Sequence, residues 1–212
     1  MTATWGDGVV PSYDAIAEEY AKEYFDELDG KPFDREVLDR FALSLKQGGR
    51  VCDLGCGPGQ IARYLASRGV EMMGIDASAG MVATARRLNP SIPFEQGGFF
   101  ALPLGDGALA GVAAFYSLIH CPRTDLPKAV AEIFRVIRPG GRFLMTVHVG
   151  TGEVGRDEFH GKRVRLVANL FSEDEVRAAL VSAGFRIDEL LQRPPYAQEY
   201  QSTRIYAMST RP

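Results

Sequence analysis

Apolar residues nowhere run for the roughly 18 positions that a helix needs to cross a bilayer, so a membrane-spanning role is not expected. A secretory leader is also missing. Residues 1–11 carry no positive charge and no apolar h-region, and we expect a soluble, cytoplasmic chain. Cysteine is scarce. Cys52, Cys56 and Cys121 are spaced neither as a disulfide framework nor as a C-x-x-C metal pair, which predicts buried free thiols and no resident metal. Positive charge is in short supply too, with 24 Lys and Arg against 27 Asp and Glu and a formal charge of −3. A surface of that sign has no electrostatic reason to track a phosphate backbone, so nucleic acid is not an expected partner. Internal repeats, low-complexity tracts and linkers rich in proline or serine are absent as well. What is there is 212 residues with 46% hydrophobic content, enough to close one large core, and a single domain is expected over residues 1–212.

The first periodic segment is helical. Tyr13, Ile16, Ala17, Tyr20 and Tyr24 share one stripe behind Ser12, a candidate N-cap. Pro32 is placed to open a second helix, with Phe33, Val37, Leu38 and Phe41 on one face and an end before Gly48 and Gly49. From Arg50 the pattern alternates. Strands are expected at residues 50–54, 70–76, 92–96, 112–117 and 142–148, with helices at 60–68, 79–88 and 125–138, the last stopping at Pro139-Gly140-Gly141. Nearly continuous apolar strands between amphipathic helices describe a parallel sheet covered on both faces. Ser172-Glu173-Asp174-Glu175 has the spacing of a capping box and opens a helix that ends at Gly184. Strands near 185–192 and 203–209 follow with no helix between them, and such neighbours pair antiparallel. The expected fold is α/β: a doubly wound, mostly parallel seven-stranded sheet with a C-terminal antiparallel hairpin and N-terminal helices.

Val51-Cys52-Asp53-Leu54-Gly55-Cys56-Gly57-Pro58-Gly59-Gln60 is a strand, a glycine-rich turn and a helix start. Glycines there let a ligand approach the backbone, and the helix N-terminus supplies free N–H donors. The dinucleotide fingerprint G-x-G-x-x-G would need glycine where Gln60 stands, and no Lys-Ser/Thr pair follows to make a Walker loop. Asp76 ends the next strand about twenty residues on, where a carboxylate can accept both ribose hydroxyls of a nucleoside.

With these residues the sequence resembles the class I S-adenosylmethionine-dependent methyltransferases, whose fold is Rossmann-like. Leu102-Pro103-Leu104 is similar to the segment before that family's fourth strand, and Arg135-Val136-Ile137-Arg138-Pro139-Gly140-Gly141 to the motif before its fifth. The likeness covers roughly residues 13–148. It implies that Asp53, Gly55, Cys56, Gly57 and Gly59 cradle the methionine end of S-adenosylmethionine, that Asp76 with Ala77 takes the ribose, and that S-adenosylhomocysteine is the product. The acid that often binds adenine after the third strand is missing, since the stretch reads Gln96-Gly97-Gly98-Phe99. Backbone groups of Gly97, Gly98 and Phe99, with Phe99 or Met81 stacking, are the expected substitute. Tyr116 and Ser117 resemble positions lining the methionine portion. A helical lid over residues 1–48 gives Tyr13 and Tyr20 a cofactor-side role, although their spacing is equally that of core packing.

Methyl transfer needs alignment and exclusion of water more than covalent help, and it needs a base only where the acceptor is protonated. His120 follows the fourth strand, on the ligand edge of the sheet, and titrates near neutrality. It is a candidate general base, a candidate positioning contact and, on the bland reading, a capping or core histidine. His148, ending the fifth strand, is a weaker catalytic candidate. Residues 149–171 are expected to form a long acceptor-side connection that carries His160 and the Lys162-Arg163-x-Arg165 cluster, which reads as the solvated face of a strand in preference to an anion site. Arg193-Pro194-Pro195-Tyr196 is expected to be a turn. The expected partner is a small-molecule acceptor, bound by a monomer or homodimer. The alternatives are a chain that binds the same cofactor but cyclises or eliminates, and one that only senses it.

Overall fold

Strands that are largely apolar gather at the centre of the computed structural model, which describes residues 8–45 and 48–212. Residues 1–7 of the expected lid lie outside the described residues. Val51–Leu54 (β1), Met72–Asp76 (β2), Phe94–Gln96 (β3), Leu109–Phe115 (β4) and Ile137–His148 (β5) run parallel in the order β3-β2-β1-β4-β5. Every residue of β1 and β4 is buried, as two covered faces require. Glu153–Phe159 (β6) and Lys162–Asn169 (β7) form a separate antiparallel pair. Arg186–Arg193 (β8) and Arg204–Thr210 (β9) then extend the β5 edge antiparallel, completing the seven-stranded order β3-β2-β1-β4-β5-β9-β8.

Six helices flank the sheet: Val9–Tyr24 (α1), Pro32–Ser44 (α2), Gln60–Ala66 (α3), Ala79–Leu88 (α4), Leu126–Val136 (α5) and Glu173–Ala183 (α6). The alternation of strand side chains splits the core between two faces. Cys52, Leu54, Met73 and Ile75 join Val130 and Ile133 of α5 and Leu180 of α6. Val51, Met72, Ala113 and Leu144 join Phe41 of α2 and Leu65 of α3. The three cysteines are free and buried in these layers. None of the described helices is long and apolar enough to cross a membrane.

Four sequence expectations shift. Ser12 lies inside α1 rather than capping it; its Oγ donates to Gly8 O and accepts from Arg165 N at 2.7 Å. β4 ends at Phe115, because Tyr116 turns into the left-handed region at φ +56°. β5 begins at Ile137, which pairs with Leu109, so Pro139-Gly140-Gly141 lies within a bulged strand start instead of after a helix. The 149–171 connection is the β6–β7 hairpin, packed along α1, and not an irregular loop.

The α6 capping box is complete: Ser172 Oγ accepts from Glu175 N at 3.2 Å, and the Glu175 carboxylate accepts from Ser172 N at 2.8 Å. Removing such a cap costs about 1 kcal/mol. Ser172→Ala should therefore lower the unfolding free energy by about that much in urea titrations, with an unchanged denaturant slope.

Candidate active site

The order of strands reverses direction between β1 and β4, and at such a switch the strand ends open a crevice. The loop leaving β1 is fastened below by Gly55 N and Cys56 N, which donate to Ile75 O at 2.7 and 3.1 Å. Its glycines carry positive φ for different reasons. A Cβ on Gly55 would lie 2.2 Å from Ser117 Cβ, and one on Gly59 would lie 2.6 Å from Asn89 Nδ2. Above Gly57 the nearest atoms would be Gln60 Oε1 and Tyr20 Cε1, both at 3.9 Å. Of the three, Gly57 alone presents an open face.

Asp53 works beneath this loop. It is 1% exposed, and its Oδ2 accepts from Ala62 N at 3.0 Å, holding the first turn of α3. Burial pushes its carboxyl up to about 7, against the opposing pull of that hydrogen bond. Cys56 is buried beside it. Asp76 closes β2 with Oδ2 accepting from Gly57 N and Oδ1 from Ser78 N, both at 2.8 Å. Each carboxylate oxygen keeps a second lone pair for another donor. Burial raises this acid as well. Ala77 O accepts from Gln96 Nε2 at 3.0 Å, and Gly97 N donates to Asp76 O at 2.9 Å, which brings Ala77, Gly97 and Gly98 to one rim. Met81 and Phe99 lie below that rim at 1% and 5% exposure, so little of either is left for stacking.

Two buried polar atoms against this loop have no hydrogen-bond partner among the described residues: Ser117 Oγ, after β4 and packed on Gly55, and Gln60 Oε1, beside Gly57. Buried acceptors of this kind mark a place for a donor that the chain does not supply. An open glycine backbone, two orphan oxygens and a carboxylate with spare lone pairs fit a ligand carrying an ammonium group and vicinal hydroxyls.

α1 lies across the crevice. Asp14 Oδ1 accepts from Ser78 Oγ at 2.6 Å and Gly80 N at 2.9 Å at the start of α4, and Lys162 of β7 donates to Ala15 O at 2.7 Å. Tyr20 is held between Tyr24 and Phe159, with ring centroids 4.5 and 6.1 Å away. Tyr13 meets His120, with its hydroxyl 2.8 Å from Nε2. His120 Nδ1 lies 2.6 Å from Val167 O and must donate to it, which leaves Nε2 as the acceptor for Tyr13. Enclosure lowers the pKa of His120 and raises that of Tyr13, so both stand neutral near pH 7.

Tyr116 takes a left-handed backbone, which for a bulky residue costs about 1–3 kcal/mol. Its ring stacks on His148 at 5.2 Å, and His148 Nδ1 lies 2.9 Å from Ser202 Oγ. Enclosure and the nearby Arg204 lower His148 to about 4. Sequence reasoning passed over the residues behind Tyr116. Arg193, within the expected Pro-Pro turn, is buried and pairs with Asp34 at 3.0 Å and Glu199 at 2.9 Å. An acid in the first turn of a helix, as Asp34 is, reads in sequence as a dipole partner, so nothing there signalled its burial. His160 and Lys162 bind Glu23 and Glu19 on α1, at the hairpin's outer side.

The Asp53 environment has a consequence for stability. Unfolded, this carboxyl releases its proton near 3.8; folded, it holds the proton up to about 7. The folded chain therefore binds more protons between those values, and stability falls as pH rises through the window. Asp53→Asn keeps an oxygen for Ala62 N and cannot ionise. It should flatten the pH dependence of urea unfolding and gain on the parent above about pH 7; an unaltered slope would remove Asp53 as its source.

Residues 51–141 match the family model described as a methyltransferase domain. The chain is 29% identical over 177 residues to sterol 24-C-methyltransferase ERG6B of Gibberella zeae, covering 74% of this chain and 46% of that protein. It is 30% identical over 176 residues to demethylmenaquinone methyltransferase of Paenarthrobacter aurescens, covering 83% and 62%. The chain thus spans about half the length of the curated relatives it matches. In fold it is similar to the [4+2]-cyclase SpnF, at 19% identity and a TM-score of 0.68 over 96% of this chain and 97% of that one. The motif order, the loop geometry and these likenesses agree: residues 51–141 form a methyltransferase domain, similar to those of the class I S-adenosylmethionine-dependent family.

Proposed function

We propose that this chain binds S-adenosylmethionine on the β1 loop and catalyses methyl transfer to a small-molecule acceptor. The observation that carries the reading is the open face of Gly57 beside an Asp76 carboxylate that still has lone pairs to offer. Gly55, Gly57 and Gly59, with Ser117 Oγ and the Tyr116 backbone, would hold the methionine end, and Asp53 supports the loop from below. Asp76 would take the ribose. Ala77, Gly97 and Gly98 would border adenine, with Met81 and Phe99 beneath, and Tyr13 and Tyr20 would close over the cofactor. When bound, S-adenosylmethionine supplies a methyl group on a positively charged sulfur.

A small-molecule acceptor is favoured over nucleic acid by the formal charge of −3 and by the Lys162-Arg163-x-Arg165 cluster, in which Lys162 pairs with Glu19 and the Arg165 side chain packs on Gly8. The names of the two relatives likewise place the methyl group on a sterol and on demethylmenaquinone. For an acceptor that must lose a proton, the chain offers a two-residue path. Tyr13 receives the acceptor proton on its oxygen while passing its own to His120 Nε2, and the resulting imidazolium is held by Val167 O. His148 is the second candidate base, on the opposite side of Tyr116.

Asp76→Ala removes charge-assisted hydrogen bonds worth about 1.5–3 kcal/mol each. Calorimetric affinity for S-adenosylhomocysteine should fall by at least about tenfold. Unchanged affinity in the folded variant would sink the ribose assignment. Mass spectrometry of turnover mixtures should show one methyl group gained by the acceptor and S-adenosylhomocysteine released. A cofactor cyclised or split without methyl gain would replace methyl transfer by the alternative chemistry.

A positioned base contributes about 10²–10⁴-fold. His120→Ala and Tyr13→Phe should each cut turnover by that order while S-adenosylhomocysteine affinity stays within a few-fold. The parent rate should drop as pH falls through a pKa below 6.5, as Nε2 becomes protonated, and both variants should lose that limb. Full turnover in Tyr13→Phe would exclude the two-residue path.

A further inference from the structure

Asp34, Arg193, Glu199 and Tyr206 bring ionised and phenolic groups into the interior behind β4. Asp34 is fully enclosed and Arg193 is 6% exposed. Arg193 spreads its guanidinium over three side chains and the Pro194 carbonyl: Nη2 to Asp34 Oδ2 at 3.0 Å, Nε to Tyr206 Oη at 3.0 Å, and Nη1 to Glu199 Oε2 and Pro194 O, both at 2.9 Å. The Tyr206 hydroxyl donates to Asp34 Oδ1 at 3.1 Å, so its oxygen can only accept from its other neighbours. One of those is Tyr116, whose hydroxyl lies 2.9 Å away and, more distantly at 3.5 Å, also faces Asp34 Oδ1. A single proton per phenol accounts for the series: Tyr116 donates to Tyr206, and Tyr206 donates to Asp34.

The series ends on the residue whose backbone most needs holding. Tyr116 is pinned at both ends, by its N–H to Thr146 O at 3.1 Å and by its hydroxyl to Tyr206. Its left-handed turn sets Ser117 directly on Gly55, where even one added carbon would collide. The same turn swings the Tyr116 ring across His148. Without the hydroxyl anchor, nothing in local propensity would keep a tyrosine at φ +56°.

We infer that Asp34, Arg193 and Tyr206 are positioning residues. They hold Tyr116 in its left-handed backbone, so that Ser117 Oγ is kept at the cofactor cradle and the Tyr116 ring covers His148. The cofactor half of this inference rests on the function proposed above, whereas the His148 half stands on geometry alone. Arg193 at the end of β8 and Tyr206 in β9, far along the chain from the glycine loop, thereby act on how that loop holds its ligand.

Tyr206→Phe tests this while leaving the Asp34–Arg193 ion pair in place. Around His148 stand Arg204 from β9, Glu199 from the segment before it, Lys31 before α2 and His120 after β4, none of which the substitution alters. The readout is the imidazole titration of His148 by NMR. It should move up from about 4 towards the ordinary 6.5 as the Tyr116 ring loosens and water reaches the imidazole. S-adenosylhomocysteine affinity should fall about tenfold, the order expected for one hydrogen-bonded contact. Glycine needs no anchor at positive φ, so in a Tyr116→Gly background the Tyr206→Phe change should bring no further loss of affinity. A purely structural cluster would lower the melting temperature of Tyr206→Phe yet leave affinity and His148 titration at parent values, and that result would overturn the inference. If the parent itself fails to bind S-adenosylhomocysteine, the proposed function falls, and the His148 titration alone decides the positioning role.

Discussion

The bond from Gly57 N to Asp76 Oδ2 joins two loops that a parallel sheet would otherwise leave independent. Parallel strands end on the same side, and their connections leave in different directions, so nothing in the ladder itself fixes one loop relative to the next. Here the carboxylate at the end of β2 fastens the turn after β1, and the same carboxylate holds Ser78 N before α4. The α4 start in turn receives Asp14 from α1. Loop, strand end, helix start and α1 are therefore placed relative to one acid.

A second set of buried charges supports the other side of the crevice at greater cost. Placing Asp34, Arg193, Glu199 and Arg204 in the interior forfeits their hydration, and well-packed apolar groups would serve stability as well or better. What such a cluster offers instead is direction. Each bond demands a particular geometry, and the last of them is spent on a tyrosine in a conformation that apolar packing alone would not select.

Sequence legibility follows the range of the interactions. The glycine loop, Asp76, the capping box at Ser172 and the amphipathic stripe of α5 are set by residues within a turn or a strand of each other, and all were legible. The C-terminal hairpin followed from two apolar runs with no helix between them. Asp34 and Arg193 stand 159 residues apart, and no spacing rule links them. The β6–β7 hairpin escaped because it is mostly exposed and lacks the apolar alternation that marks a half-buried strand. The bonding of His120 was equally out of reach, since Tyr13 precedes it by 107 positions and Val167 follows it by 47.

Besides its buried face and the Asp14 bonds, α1 is tied down along its outer side by contacts that are individually weak. Arg87 to Glu18 and Lys162 to Glu19 are solvent-facing ion pairs, each worth about 0–1 kcal/mol and screened by salt over about 8 Å at physiological ionic strength. A helix edge fastened this way can loosen by stages instead of in one costly step, which would suit the cover over the cofactor that the proposed function gives it. Its grip, unlike that of the sheet beneath, should slacken as counter-ions accumulate. Ligand exchange would then quicken in brine while the core stayed unmoved.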